Sequence, residues 1–239
     1  MSKSFLIDTT LCTACRGCQV ACKQWHDLPA EETVNRGSYQ NPEDLSFETY
    51  KLVRMEEEEI DGRLRWLFFP DQCRHCLEPP CRDVIGDPKA IYSEEANGSV
   101  QFTALTRDYD AEEIIGSCPY NIPRAGADGV LAKCDMCIDR VQNGLQPACV
   151  KTCPTGAMAF GDRDAIMKQA KDHLAVAKKK YPKAQLLDPD DVRVIFLVGY
   201  DPLLYHSNAI AARTAFDVTR QVALRRMLRP LTQIASRLG

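Results

Sequence analysis

Cys12, Cys15, Cys18 and Cys22 follow one another as C-x2-C-x2-C-x3-C. Cys73, Cys76 and Cys81 form C-x2-C-x4-C, and Cys118 stands alone before Pro119. Cys134, Cys137, Cys149 and Cys153 form C-x2-C-x11-C-x3-C before Pro154. Thiolates are soft ligands for iron and zinc. Two residues between cysteines let one short loop wrap a corner of a polynuclear centre. Three cysteines at i, i+3 and i+6 hold three corners of a cubane while the loop amides point at the sulfurs, so the fourth ligand comes from elsewhere. In runs of this kind the fourth cysteine serves a neighbouring [4Fe–4S] cluster.

By that rule the first and last groups exchange their fourth cysteines. One set is Cys12, Cys15, Cys18 and Cys153. A second is Cys134, Cys137, Cys149 and Cys22. The remaining Cys73, Cys76, Cys81 and Cys118 make a third. The 12 cysteines thus divide into three sets of four, the ligand count of three [4Fe–4S] clusters. Structural zinc also uses C-x2-C pairs, but consecutive C-x2-C-x2-C crowds a single ion. Disulfides need oxidation and make poor use of such tight loops. A brown protein marks clusters; a colourless one with stoichiometric zinc marks the zinc rival. His75, between Cys73 and Cys76, has the chemistry to replace a thiolate, as histidines do in Rieske centres. The thiolate count is complete without it, so it reads as a residue that supports or borders the site.

The elements that must position these ligands can be read around them. Residues 13–25 turn from loop into helix after Cys18, since Gln19 to Trp25 holds helix formers and no breaker. Residues 27–47 carry Pro29, Gly37, Asn41 and Pro42 and read as irregular chain. Tyr50–Met55 and Arg63–Phe69 flank Asp61-Gly62, a hairpin turn, with Glu56–Glu59 as a solvated strand end. Ala90–Tyr92 and Ser99–Thr103 flank Asn97-Gly98, a second hairpin. Residues 104–133 carry Cys118. Asp164–Tyr181 reads as a helix with Ile166, Ala170, Leu174, Ala177 and Tyr181 on one face and Lys178–Lys180 in its last turn. Val192–Val198 reads as a buried strand. About Ala215–Leu238 reads as a helix broken at Pro230, with Leu224, Met227, Leu228 and Leu231 on one stripe.

Composition narrows the class. At 239 residues the chain can bury a core without disulfide staples, and cysteine at about 5% is below a disulfide scaffold. With 26% charged and 45% hydrophobic residues the balance is globular, and a net charge of −3 gives no footprint for nucleic acid. The longest apolar run, Val194–Gly199, is far short of a membrane span, so no transmembrane segment is expected. The first residues have neither a signal-peptide apolar stretch nor paired arginines, so no export signal of the chain's own is expected. From residue 192 onward seven arginines stand against two acids, net +5. That basic amphipathic tail suits a partner subunit better than an anionic membrane, since it lacks Trp and Lys. No Ser/His/Asp set, nucleotide-binding glycine loop or motif-placed carboxylate pair is present, and His26, His173 and His206 read as ordinary residues.

Together the motifs Cys12-Thr-Ala-Cys-Arg-Gly-Cys-Gln-Val-Ala-Cys22, Cys73-Arg-His-Cys-Leu-Glu-Pro-Pro-Cys81, Cys118-Pro-Tyr-Asn-Ile-Pro123, Lys133-Cys-Asp-Met-Cys137 and Ala148-Cys-Val-Lys-Thr-Cys-Pro-Thr-Gly-Ala157 resemble the electron-transfer subunits of molybdenum or tungsten bis-pterin oxidoreductases. The resemblance covers about residues 5–160. Most such subunits have sixteen cysteines and four clusters. Here a fourth cysteine is missing near Ile85 to Asp87, and Asp108, Ala111 and Ile114 stand where three more are expected before Cys118. All four absent ligands belong to one cluster. Three clusters, together with Lys23-Gln-Trp25 and Trp66-Leu-Phe-Phe-Pro-Asp-Gln-Cys73, look most like the small subunits of soluble periplasmic formate dehydrogenases.

The resemblance implies an α+β fold of bacterial-ferredoxin-like cluster-binding modules with β-hairpin insertions and a C-terminal helical arm. Residues 1–30 and 129–162 would form a two-cluster module, 48–128 a single-cluster module with two hairpins, and 163–239 a helix-strand-helix docking arm. It implies a non-catalytic electron-transfer subunit, working between a large molybdenum/tungsten-pterin catalytic subunit that handles formate and an acceptor such as a multihaem cytochrome c. Another bis-pterin oxidoreductase subunit and a free polyferredoxin are the alternatives. The implied location is the periplasm, reached together with the partner subunit, with the cytoplasm as alternative. Arg16, Lys23, Arg74, Lys133 and Lys151 lie beside ligands and are candidates to offset the negative charge of four-thiolate cubanes. Neutralising Lys133 is expected to lower the potential of a neighbouring cluster.

Overall fold

The computed structural model describes residues 2–211. The chain opens with β1 (Lys3–Asp8) and, past the first cysteines, forms α1 (Gly17–Trp25). Irregular chain leads to β2 (Leu52–Ile60) and β3 (Arg63–Asp71), which pair antiparallel from Leu52↔Asp71 to Ile60↔Arg63. The connecting pair Asp61-Gly62 takes positive φ at both positions, as a tight hairpin turn requires. Short elements follow: α2 (Pro80–Asp83), β4 (Ile91–Ser93), β5 (Val100–Phe102), α3 (Ala111–Ser117), β6 (Arg124–Ala125), β7 (Leu131–Ala132), α4 (Ile138–Gln142) and α5 (Ala148–Lys151). The chain ends its described part with β8 (Met158–Asp162), α6 (Arg163–Ala177), β9 (Gln185–Leu187) and β10 (Val194–Val198).

Four strands make the one larger sheet, in the order β8-β1-β10-β9. β1 runs parallel to β10 (Phe5↔Val194) and antiparallel to β8 (Phe5↔Phe160). The two central strands are apolar on both faces because both faces are covered. Phe5, Ile7, Val194, Phe196 and Val198 pack with Val53, Phe69, Cys18 and Cys149 on the cysteine side. Leu6, Ile195 and Leu197 pack on the other side against Ile166, Ala170 and Ala177 of α6. The period-2 alternation of a strand thus sends neighbouring residues to two different cores.

Helices and small sheets mix in the α+β manner, and over its described part the segment from 163 packs onto and into the larger sheet. β10 lies between β1 and β9 and supplies five fully buried residues, so residues 163–211 belong to the core. The reason is the run Val194–Val198, which can be buried on both faces only inside a sheet. α6 ends at Ala177, short of Tyr181, and the three lysines 178–180 form a turn beyond it. In the second hairpin Ser93 pairs with Val100, so Glu94–Ser99 form a longer loop in place of a two-residue turn. The helix read at about 215–238, and with it most of the basic tail, lies outside the described residues.

Candidate metal centres

Three of the four C-x2-C turns, Cys12–Cys15, Cys73–Cys76 and Cys134–Cys137, share one backbone device. In each, the residue before the second cysteine is left-handed and is not glycine: Ala14 (φ 53), His75 (φ 47) and Met136 (φ 68). Side chains disfavour this region, at roughly 1–2 kcal/mol per residue, so the repeat marks turns held by their surroundings. The conformation curls the backbone N–H back towards the preceding sulfur. Ala14 N–H donates to Cys12 Sγ (3.4 Å) and His75 N–H to Cys73 Sγ (3.3 Å).

α1 packs against α5, which brings the first cysteine group onto the last. Cys12 lies in the field of Cys153 and Cys15, and Cys18 in that of Cys12 and Cys15. Cys22 neighbours Cys149 and Cys137, and Cys134 neighbours Cys22 and Cys137. Cys76 neighbours Cys73, Cys118 and Cys81. The structure thus brings the first and last cysteine groups together and sets Cys73, Cys76, Cys81 and Cys118 around one cavity. They abut in a row: Cys18 and Cys149 share one buried apolar cluster, and Cys73 and Cys134 share another.

The third group surrounds a small cavity of about 20 Å³ lined by its four cysteines, Pro79, Pro80, Val100, Tyr120 and Ile122. All twelve cysteines are free thiols. Burial pushes Cys18, Cys81 and Cys137 up to about 12 and Cys118 up to about 11, and it raises Cys22, Cys76 and Cys134 as well. These thiols hold their protons at neutral pH until a cation replaces them, so metal loading releases protons. Twelve soft donors, several on inward-curled turns, fit [4Fe–4S] clusters in their chemistry.

Lys51, which precedes β2, gives no motif signal in the sequence, yet it is 2% exposed. Its Nζ donates to Gln72 Oε1 and to the Pro70 carbonyl (3.4 Å). Among the described residues its ammonium has no carboxylate partner. Burial draws it towards neutrality, but the sulfurs of Cys149, Cys18, Cys134 and Cys22 outweigh that and leave its pKa above the ordinary lysine value. Val53, two residues on in β2, packs in the core with Cys18 and Cys149.

The five flanking cations fare differently. Arg74 is buried, with its guanidinium 4.3 Å from the Phe196 ring centre and Nη1 donating to Asp71 Oδ1 (2.9 Å). Arg54 Nε donates to Asp71 Oδ2 (2.8 Å). Asp71 is thus held below the usual carboxylate range: burial opposes this, and Arg74 and Arg54 overcome it. Lys133 is buried, donates to the carbonyls of Val100 and Cys134, and lies 4.7 Å from the Phe102 ring centre. It lines the third group's cavity and favours the charged form of Cys81. Lys23 instead ties down loop carbonyls at Pro29 (2.7 Å) and Glu48 (2.8 Å), Arg16 is half-buried against Met55 Sδ, and Lys151 is exposed.

His26 does more than an ordinary histidine. Its Nδ1 lies 2.9 Å from the Cys22 carbonyl and its Nε2 lies 2.9 Å from Asp135 Oδ1, which also accepts the Cys137 N–H (2.8 Å). It thereby ties the end of α1 to the Cys134–Cys137 turn. The signal available was its place four residues after Cys22, at a helix end. His75 is fully buried, and its Nδ1 accepts the Val100 N–H (3.0 Å), which braces the third group's turn on β5. His173 reaches Asp8 Oδ2 (2.9 Å), away from the cysteines. His206 sits near Arg54 and Arg74, and burial first, then those cations, depress its pKa to about 4.

The family model for the 4Fe-4S dicluster domain matches residues 64–163. The formate dehydrogenase subunit beta of Megalodesulfovibrio gigas is 59% identical over 215 residues, which are 88% of this chain and 100% of that protein. The formate dehydrogenase 2 subunit beta (cytochrome c-553) of Nitratidesulfovibrio vulgaris is 51% identical, covering 87% and 99%. The nitrate-inducible formate dehydrogenase iron-sulfur subunit of Escherichia coli is 38% identical, covering 84% of this chain and 70% of its own length.

Proposed function

Because the chain belongs to the formate dehydrogenase beta, or iron–sulfur, subunits, which carry electrons and do not catalyse, we propose that it holds three [4Fe–4S] clusters and links a formate-oxidising molybdenum/tungsten-pterin subunit to a multihaem cytochrome c. Cys12, Cys15, Cys18 and Cys153 would hold the first cluster, Cys134, Cys137, Cys149 and Cys22 the second, and Cys73, Cys76, Cys81 and Cys118 the third. A [4Fe–4S] cluster supplies a site that takes up and releases one electron at a potential set by its surroundings. This chain's residues provide the rest. The left-handed turns aim amides at sulfur, apolar walls from Val53, Phe69 and Ile7 exclude water, and buried cations offset charge.

The observation that carries this reading is the row of thiol groups, in which the first adjoins the second at Cys18 and Cys149 and the second adjoins the third at Cys134 and Cys73. The name of the Nitratidesulfovibrio relative carries cytochrome c-553, which supports an acceptor of the c type. Among the described residues no helix is long and apolar enough to cross a membrane. We place the assembly in the periplasm, carried there with the catalytic subunit; cell fractionation with antibodies to both subunits tests this, and chain found only in the cytoplasm refutes it.

Anaerobic purification of the complex tests the central reading. The expected product is brown, has about twelve irons and as many sulfides per chain, and co-purifies with a large subunit containing tungsten or molybdenum. Cys118→Ser should remove about one cluster's iron and leave the other two. A colourless protein with stoichiometric zinc, or the chain isolated alone as a carrier, defeats the proposal.

A further inference from the structure

Lys51 is an unusual charge to bury. An ammonium moved out of water costs several kcal/mol unless something answers it, and its two hydrogen-bond partners, the Gln72 side chain and the Pro70 carbonyl, are neutral. The groups whose field it does share are sulfurs from two different sets. Val53, two residues on, packs in one core cluster with Cys18 of the first set and Cys149 of the second, and those two sulfurs are among the groups that act on Lys51 itself. Lys51 stands at the hairpin foot, where the pairing of Leu52 with Asp71 fixes its backbone beside that of Gln72. No other buried cation near the sulfurs lacks an acid, a carbonyl from the cysteine turns or an aromatic face among the described residues: Arg74 has Asp71, and Lys133 has the Cys134 carbonyl and Phe102.

We propose that Lys51 is the shared counter-charge of the first and second clusters, a positioning residue that raises both potentials together and leaves the third aside. This rests on the three-cluster reading above. A fixed positive charge favours the more negative, reduced form of any cluster it faces. One ammonium between two clusters therefore moves their potentials in step, so a change at one site does not open a step between them.

The test is an EPR-monitored redox titration of the purified complex, with unmodified protein, Lys51→Gln and Lys51→Arg compared. Lys51→Gln keeps a polar group facing Gln72 and removes the charge. The expected result is a fall in two of the three potentials, each by about 59 mV, the equivalent of tenfold in a one-electron equilibrium. The third should stay in place as an internal standard, and Lys51→Arg should restore the two. A uniform shift of all three, a shift of one alone, no shift, or an equal fall in Lys51→Arg overturns the proposal. If Lys51→Gln fails to load its clusters, iron content decides. Loss of two clusters' iron in Lys51→Gln with full loading in Lys51→Arg supports the shared role, and equal loss in both overturns it. Fewer than three clusters in the unmodified complex would instead strike the reading beneath it, and the two failures stay distinct.

Discussion

Two buried positive charges stand at the foot of one hairpin and are treated in opposite ways. Arg74, just after β3, is answered by Asp71, which also binds Arg54, and it is sandwiched by aromatic rings at Phe196 and Tyr120. Lys51, just before β2, meets only neutral oxygens and the sulfurs beyond them. Gln72 touches both: its side chain accepts from Lys51, and its carbonyl accepts from Arg74 (2.5 Å). The difference teaches that a buried cation with its own carboxylate serves the fold, because its field is largely cancelled locally. A buried cation without one serves whatever negative charge arrives later.

The contrast can be broken first at Asp71. Asp71→Asn leaves Arg54 and Arg74 without their shared counter-charge, and losing one partner of a buried pair costs about 3–5 kcal/mol. Thermal unfolding of the purified complex should show a clear drop in midpoint, while the first two cluster potentials stay within error. A large potential shift with unchanged stability would invert the roles assigned to the two cations. Lys51→Met should do the reverse. Its stability cost should be smaller, about 1–3 kcal/mol for the unpaired Gln72 oxygen, and the first two potentials should move.

The acid side sharpens the same comparison. His206 has a folded pKa of about 4, below its ordinary 6.5. The unfolded chain therefore binds the extra proton first, and stability falls as pH drops from about 6.5 towards 4. Asp71 adds its own loss at lower pH: its depressed pKa stabilises the fold above the ordinary carboxylate value, and that contribution disappears as pH falls through the folded value. Denaturation midpoints measured from pH 7 to 5 should decline, and His206→Gln should flatten that slope. An unchanged slope means His206 is not held neutral by its burial beside Arg54 and Arg74. The smallest effect is expected at the exposed pair Arg36–Glu43. Arg36→Ala should change stability by no more than about 0.5 kcal/mol, and a larger change would show that the loop's ion pairs contribute as the buried ones do.

What was legible in the sequence was local. The C-x2-C turns, the Asp61-Gly62 hairpin and the helix after Cys18 are decided by neighbours within a few residues, and they stand where spacing puts them. Lys51 was not legible, since a lysine at the start of a strand reads as a solvent-facing residue. Its burial follows from the tertiary fold, in which Gln72 and the Pro70 carbonyl meet its ammonium, contacts that no window of sequence contains. The cation candidates chosen for adjacency to cysteines divide for the same reason. Arg74 and Lys133 turn inward, while Lys151, two residues from Cys153, is exposed. The place of that last described strand was not legible either, because Val194–Val198 shows that it is buried but not that its partner is β1, almost the whole chain away.

That long-range pairing between β1 and β10 also dictates a timetable. The walls around Cys18 and Cys149 need Phe5 and Ile7 from the first strand and Phe196 and Val198 from the last. During synthesis, then, the N-terminal thiols wait through nearly two hundred residues before their side of the molecule can close. The Cys73, Cys76, Cys81 and Cys118 group is complete within a stretch of some fifty residues, and the nascent chain can present it to the iron–sulfur delivery machinery first. The cysteines of the first and last groups share a wall, so in the three-cluster proposal they are enclosed together and last. Until the final strand arrives, oxygen has its best access to the very thiols on which Lys51 later acts.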